Sequence, residues 1–441
     1  MPSTRRSVLL GTASALVALA GCNETTSDDY PTVTPVDVPR TKAEALQEAA
    51  ELDRPEIPGA VRVTDDHLEA AIEDTERLIA DLRSALDRGE DLDLQELGRR
   101  LQHEPEGLPE RAETQLESAR EAGPSEGALS TIERAVRDVA LAVGYLEARL
   151  GDVDRAGIEA ALDTEAAATE ALIDDFSYRV ADPLVEHLPT LRAAEASLDR
   201  LDDLDRARAP LDEADPERDE LDIAIGFARR ELEVHRRNRR DAERLMQTAT
   251  DGNRPSLRPA IDDVSSGLRG EVESIVETYA DRDPPSGASI EGELRGIRIH
   301  VGRRGQQWLS REAERDAERV GPLGQLLDMT AWLVEFAALD VAVTRTTDRL
   351  DGGEMPTDAI VAAKRDAIEA LERAAEGDAL QRELAARGGI LVRSADRSAT
   401  AGDDARTVAR THLLYAAADE WGRRALDRGS DLAARLQAQQ S

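Results

Sequence analysis

LSTIERAVRDVALAVGYLEARL, residues 129–150, places an apolar side chain at Leu129, Ile132, Val136, Val139, Val143, Leu146 and Leu150. The steps alternate between three and four, which is the period of one face of an α-helix. Glu133, Arg134, Arg137 and Asp138 occupy the other face, and Gly151 supplies the stop. Read outward from here, the same spacing returns along the chain. Leu68, Ala71, Thr75, Leu78, Leu82 and Ala85 form a stripe flanked by Ile72, Ile79 and Leu86 and ended by Gly89. Further stripes run through Ile158, Leu162, Leu172, Ile173, Phe176 and Val180, then through Leu191, Leu198, Leu201 and Leu204.

The second half repeats the pattern. Leu257, Ile261, Val264, Leu268, Val272, Ile275 and Tyr279 make one stripe, and Ile290, Leu294, Ile297, Val301 and Trp308 the next. Ile360, Val361, Ile368 and Leu371 follow, then Val408, His412, Tyr415 and Leu426. No segment keeps a period of two, and aromatic residues make up only 2% of the chain, so sheets are not expected. The pattern predicts an all-α protein: one or more bundles of long antiparallel helical hairpins, about a dozen helices joined by short Gly/Pro/Asp loops.

At 441 residues the chain exceeds one typical domain. Asp251-Gly-Asn-Arg-Pro-Ser256 is the best internal boundary, with Asp281 to Gly287 as competitor. The expected division is an N-terminal bundle over 64–250 and a C-terminal bundle over 256–441, the alternative being one elongated domain over 64–441. Asn23 to Arg40 is rich in Thr, Pro and Asp and lacks an apolar period, so residues 22–63 are expected to form an extended tether, with a weak helix beginning near Thr41 and interrupted by Pro55 and Pro58. Leu326 to Val343 is apolar nearly all round. Glu335 sits in its middle, and a charge there costs ~2.5–3.5 kcal/mol in a membrane span, so a central buried helix is favoured over a span.

Residues 1–21 have the layout of an export signal: Arg5-Arg6, a short apolar run, then Leu19-Ala20-Gly21 ahead of Cys22, the only cysteine. The run from Val8 to Ala20 falls well short of the ~20 apolar residues of a spanning helix. Leu-Ala-Gly-Cys resembles the lipobox of exported lipoproteins, and Arg5-Arg6 with Val8-Leu9-Leu10 resembles the twin-arginine signals of haloarchaeal lipoproteins. That resemblance implies cleavage before Cys22, a lipid on its sulfur, and retention on the extracellular face of the cell membrane. A lone cysteine suits this, because exported chains otherwise spend cysteines in pairs.

Composition agrees. The net charge is −35, from 91 acidic and 56 basic residues, and only Lys42 and Lys364 are lysines. Such an excess destabilises a compact state by self-repulsion unless salt screens it. Acid excess with lysine depletion resembles the proteins of salt-loving archaea. Nucleic acid and anionic membrane surfaces are poor partners for this surface.

The chemical inventory is thin. There is no G-x-S-x-G, no G-x-x-x-x-G-K-[ST] and no H-E-x-x-H, and the six histidines are not paired at i, i+4. No metal site and no cofactor are expected, and no catalytic role is assigned. Three places hold polar residues on apolar stripes. The first is His235 with the run Arg236-Arg237-Asn238-Arg239-Arg240, read either as internally paired charge or as an anion site centred on Arg239. In the second, the Gly-rich segment 292–305 carries His300 and Arg304, with Glu335 or Asp328 as the carboxylate that a buried cation there would need. Its four glycines suggest close helix approach or room for a ligand. The third is His412 on the last long stripe. The expectation is a non-enzymatic binding or scaffold lipoprotein of the cell envelope, with an unknown envelope protein as partner. The alternative is a lipoprotein that captures a small anion or carboxylate through its Arg/His clusters.

Overall fold

The structure is a computed structural model and describes residues 40–198, 202–214, 220–282, 289–313, 321–350, 355–402 and 404–438. Arg5, Arg6, Cys22 and the first part of the expected tether, 22–39, lie outside the described residues. Among these residues there are fifteen α-helices and no strand; Val180 and Thr250 form a lone antiparallel bridge. The all-α expectation holds, and no described helix is long and apolar enough to cross a membrane.

Contacts divide the chain into two units. The N-terminal unit is residues 59–258 with 318–324, and the C-terminal unit is formed by residues before 59 together with 259–317 and 325–441. In the N-terminal unit the helices are α2 (Asp65–Arg88), α3 (Gln95–Leu101), α4 (Leu108–Ala122), α5 (Glu126–Leu150), α6 (Arg155–Asp174), α7 (Leu184–Leu198), α8 (Asp202–Glu213) and α9 (Glu220–Ala249). Helix α5 is its centre. It starts at Ser125, whose hydroxyl accepts from the Ala128 amide, and ends at Gly151, which takes the left-handed conformation of a helix stop (φ 76°). Every residue from Val139 to Leu146 is buried, because α2, α4 and α9 pack around this one helix. Gly144 and Gly226 let α5 and α9 meet: a Cβ on Gly226 would stand 2.9 Å from the Leu141 carbonyl oxygen.

The C-terminal unit contains α1 (Arg40–Glu51), α10 (Arg258–Ala280), α11 (Ile290–Ala313), α12 (Pro322–Arg349), α13 (Thr357–Ala375), α14 (Ala379–Ala401) and α15 (Ala405–Ala438), with Arg258 and Pro322 to Gly324 at the starts of α10 and α12 grouped in the other unit. Helix α15 packs along α13 and α14. At its closest crossing, a Cβ on Gly422 would lie 2.6 Å from the Ala370 carbonyl carbon, so only glycine fits. Helix α12 is the central buried helix expected over 326–343: Leu326, Leu327, Trp332, Val334, Ala338, Leu339 and Ala342 are all buried.

One expectation needs correction. The tether does not extend to residue 63: the helix expected from near Thr41 forms over Arg40–Glu51, and it is no loose piece of a tether, since Ala45, Leu46 and Ala49 are buried against α13 and α14. Three apolar residues at i, i+1 and i+4 are too few to stand out as a stripe. Tertiary packing stabilises this short segment, not its own propensity.

Candidate functional site

In the N-terminal unit the basic run on α9 is spent on neighbouring carboxylates. Arg236 reaches Glu233 at 2.7 Å. Arg237 donates to Asp241 at 3.2 Å and to the Leu129 carbonyl at 2.7 Å. Arg239 holds Glu165 of α6 at 2.8 Å and Glu243 at 2.6 Å, and Arg240 reaches Asp74 of α2 at 2.7 Å. His67 joins the same network, its Nε2 lying 2.8 Å from Asp241. Burial would raise the Asp241 carboxyl, but the His67 hydrogen bond and the Arg237 guanidinium outweigh it and leave the group below the usual carboxylate range. His235 is buried on the same helix, 3% exposed. Of the two readings of this run, the structure places internal pairing at Arg239, because α9 needs polar contacts on both sides to cross α2 and α6.

In the C-terminal unit Arg304 and Glu335 meet. The guanidinium donates to both carboxylate oxygens, at 2.9 and 2.8 Å, and Glu335 is only 2% exposed. Burial pushes the Glu335 carboxyl above its ordinary value, and Arg304 offsets part of that. Asp328, the other carboxylate considered, pairs instead with Arg387 at 2.9 Å. His300 is exposed on α11 one turn before Arg304 and makes no part of this pair's contact; partial desolvation, and then the Arg304 and Arg303 charges, lower its pKa. Two of the four glycines serve close approach: a Cβ on Gly302 would meet Tyr279 at 2.8 Å, and one on Gly305 would meet Val276 at 2.6 Å and Trp332 at 2.8 Å, whereas Gly296 faces open space.

The structure also brings together a cluster that the sequence reading missed. Lys364 is fully buried, and its ammonium donates to the carbonyls of Ala49 at 2.6 Å and Leu52 at 2.8 Å and pairs with Asp396 at 2.9 Å. Tyr415 donates its hydroxyl to Asp396 at 2.8 Å, and Arg54 holds the other carboxylate oxygen at 2.7 Å. Burial, and then the Asp396 carboxylate, push the Tyr415 phenol upward, so it stays a donor. The ammonium thus satisfies the orphan carbonyls at the end of α1 and places a cation at the negative end of that helix. A signal existed: Lys364 falls on the stripe of Ile360, Ala367 and Leu371.

His412 lies elsewhere in this unit, at a cavity of about 280 Å³ between α12, α13 and α15. Arg345, Asp348 and Arg349 of α12, Asp366 of α13, and His412 and Asp419 of α15 line it. His412 and Asp419 are buried at its floor, with Ala359, Ala363 and Ala416 leaving the space that larger side chains would fill. The His412 Nδ1 lies 3.0 Å from the Thr346 hydroxyl, which fixes the ring. Arg345 is committed to Asp419 at 2.8 Å and Glu420 at 3.1 Å.

Burial, and then the Arg349 charge, lower the His412 pKa to about 4. The folded protein therefore holds His412 neutral while the unfolded chain protonates it near 6.5, so this contribution to stability is present above pH ~6.5 and is lost as pH falls through 4. Over that window the loss is about 3 kcal/mol. Unfolding titrations at high salt should show His412→Leu losing much less stability than the parent between pH 6.5 and 4. Parallel curves would refute the assignment.

Of the six residues singled out in the sequence, His235 and Arg239 belong to the N-terminal unit and the other four to the C-terminal unit. Arg304 and Glu335 pair, and His412 alone lines the cavity. Among the described residues no group of three His, Cys, Asp or Glu side chains is placed to hold a metal ion.

Comparison with known proteins follows the division of the chain. Residues 66–254 match a family model described as Domain of unknown function (DUF8262), and residues 258–433 match one described as Domain of unknown function (DUF8264). Each half is similar to its own family. No curated protein and no solved structure matches the chain.

Proposed function

We propose that this chain is a non-enzymatic binding or scaffold protein of the cell envelope, held on the extracellular face of the membrane by lipid on Cys22. The observation that carries the reading of the body is the fate of the run 236–240: each of its four arginines ends on a carboxylate of the same unit. Charge used in this way fixes helices against one another and leaves a rigid frame. The anchor reading rests on Arg5-Arg6 and on Leu19-Ala20-Gly21-Cys22. Partners are an envelope protein or a small solute, and the strongly acidic surface disfavours nucleic acid.

Fractionation of cells producing the full chain tests the anchor. The parent is expected in the membrane fraction and Cys22→Ser in the medium; membrane retention of Cys22→Ser would overturn it. Cross-linking on intact cells tests the scaffold, with a discrete adduct to one envelope protein expected and a uniformly monomeric species counting against it. Capture of a small ligand is the second reading, favoured by the cavity beside His412.

A further inference from the structure

The cavity beside His412 carries charges of both signs. Among the described residues Arg349, Asp348 and Asp366 form no hydrogen bond or ion pair with another side chain, whereas Arg345 and Asp419 neutralise each other across the floor. The lining therefore offers one guanidinium and two carboxylates that form no hydrogen bond with another described side chain, around a floor that holds a fixed imidazole and buried alanines. A simple anion would meet Asp348 and Asp366 as well as Arg349, and a simple cation would meet Arg349. A ligand that carries both charges satisfies both sets at once. Volume narrows the class further, since about 280 Å³ lies just below the ~300–1,000 Å³ typical of sites for drug-sized molecules.

We infer that this cavity binds a small zwitterion of amino-acid type, its carboxylate on Arg349 and the His412 ring and its ammonium on Asp366, with the alanines against its carbon skeleton. The inference rests on the ligand-capture reading and replaces its anion with a dipolar solute. An arginine fork suits the carboxylate, because two parallel N–H donors match its two oxygens. Asp366 suits the ammonium as an acceptor: its carboxylate makes no hydrogen bond to another described side chain and meets the Arg423 charge only at longer range. The ring of His412 is held through Nδ1 by Thr346, so Nε2 is the nitrogen left to address a ligand.

Isothermal titration calorimetry on the full chain in molar KCl tests this, with glycine, L-alanine and L-glutamate as probes and acetate and methylammonium as the two separated halves. At least one amino acid is expected to bind tenfold or more tightly than either half. Arg349→Gln and Asp366→Asn are each expected to weaken that binding at least tenfold while leaving the circular dichroism and melting curve unchanged, because both side chains are exposed. Acetate binding as well as the amino acids would overturn the zwitterion and leave ligand capture standing. No binding of any probe would overturn both. Amino-acid binding that survives both substitutions would place the site elsewhere and also overturn the inference.

Discussion

Lys364→Met is expected to remove about 3–5 kcal/mol of stability, the range for breaking a buried ion pair from one side. The methionine fits the volume but leaves the Asp396 carboxylate with Arg54 and without its buried ammonium, and the Ala49 and Leu52 carbonyls without a donor in a site closed to water. Denaturant unfolding in molar salt measures the loss. Limited proteolysis localises it: cleavage within 40–58 should accelerate well before the rest of the C-terminal unit becomes sensitive, because this ammonium ties the end of α1 to Asp396. Lys364→Arg should fail to rescue, since the larger guanidinium has no room at a fully buried position. A Lys364→Met protein with parental stability and protection would show that packing of Ala45, Leu46 and Ala49 suffices to hold the helix.

Arg304→Met is the second large effect, also about 3–5 kcal/mol at neutral pH. Both oxygens of Glu335 lose their donor while the carboxylate stays buried on α12. The pH dependence follows from the raised pKa of Glu335 in the folded state. A carboxyl whose folded pKa lies above its unfolded value binds its proton more readily when folded, so its contribution is fully present below the unfolded pKa and is lost as pH rises through the folded one. Without Arg304 that upward shift grows, and the deficit of the variant should shrink as pH is lowered. Arg304→Met combined with Glu335→Leu should recover most of the loss, because an apolar pair of similar volume carries no stranded charge. Equal losses in the single and double variants would show that the pair contributes packing alone.

Much of the architecture was legible because helix period survives in a sequence wherever one face is buried. The stripes at Leu68 to Ala85 and Leu129 to Leu150 became α2 and α5 with their expected buried residues, and the apolar run 326–343 became a central helix. Helix α1 was underread because its burial depends on side chains far away in sequence. The polar sites divided in the same way. Arg304 and Glu335 announced each other, since a cation on one stripe and a carboxylate in an apolar helix need a common solution. Lys364 stood out on its stripe, but what it clamps stayed hidden because two of its partners are main-chain carbonyls, which leave no mark in the side-chain pattern. The cavity beside His412 was equally silent: Ala359, Ala363 and Ala416 read as good helix formers, and only packing shows the space they leave.

The clamp on α1 also bears on the order in which the chain is completed. Arg54 and Asp396 are 342 residues apart, and Lys364 is 315 residues from Ala49. A ribosome adding ~5–20 residues per second needs about 15–60 s to cover such a gap. Throughout that interval α1 exists with Ala45, Leu46 and Ala49 uncovered, and the whole segment 59–258 is made before its docking surface is. Helix α1 is therefore made early and seated late, and a chain cut short before Asp396 leaves it loose. Its seating marks a chain made past Asp396.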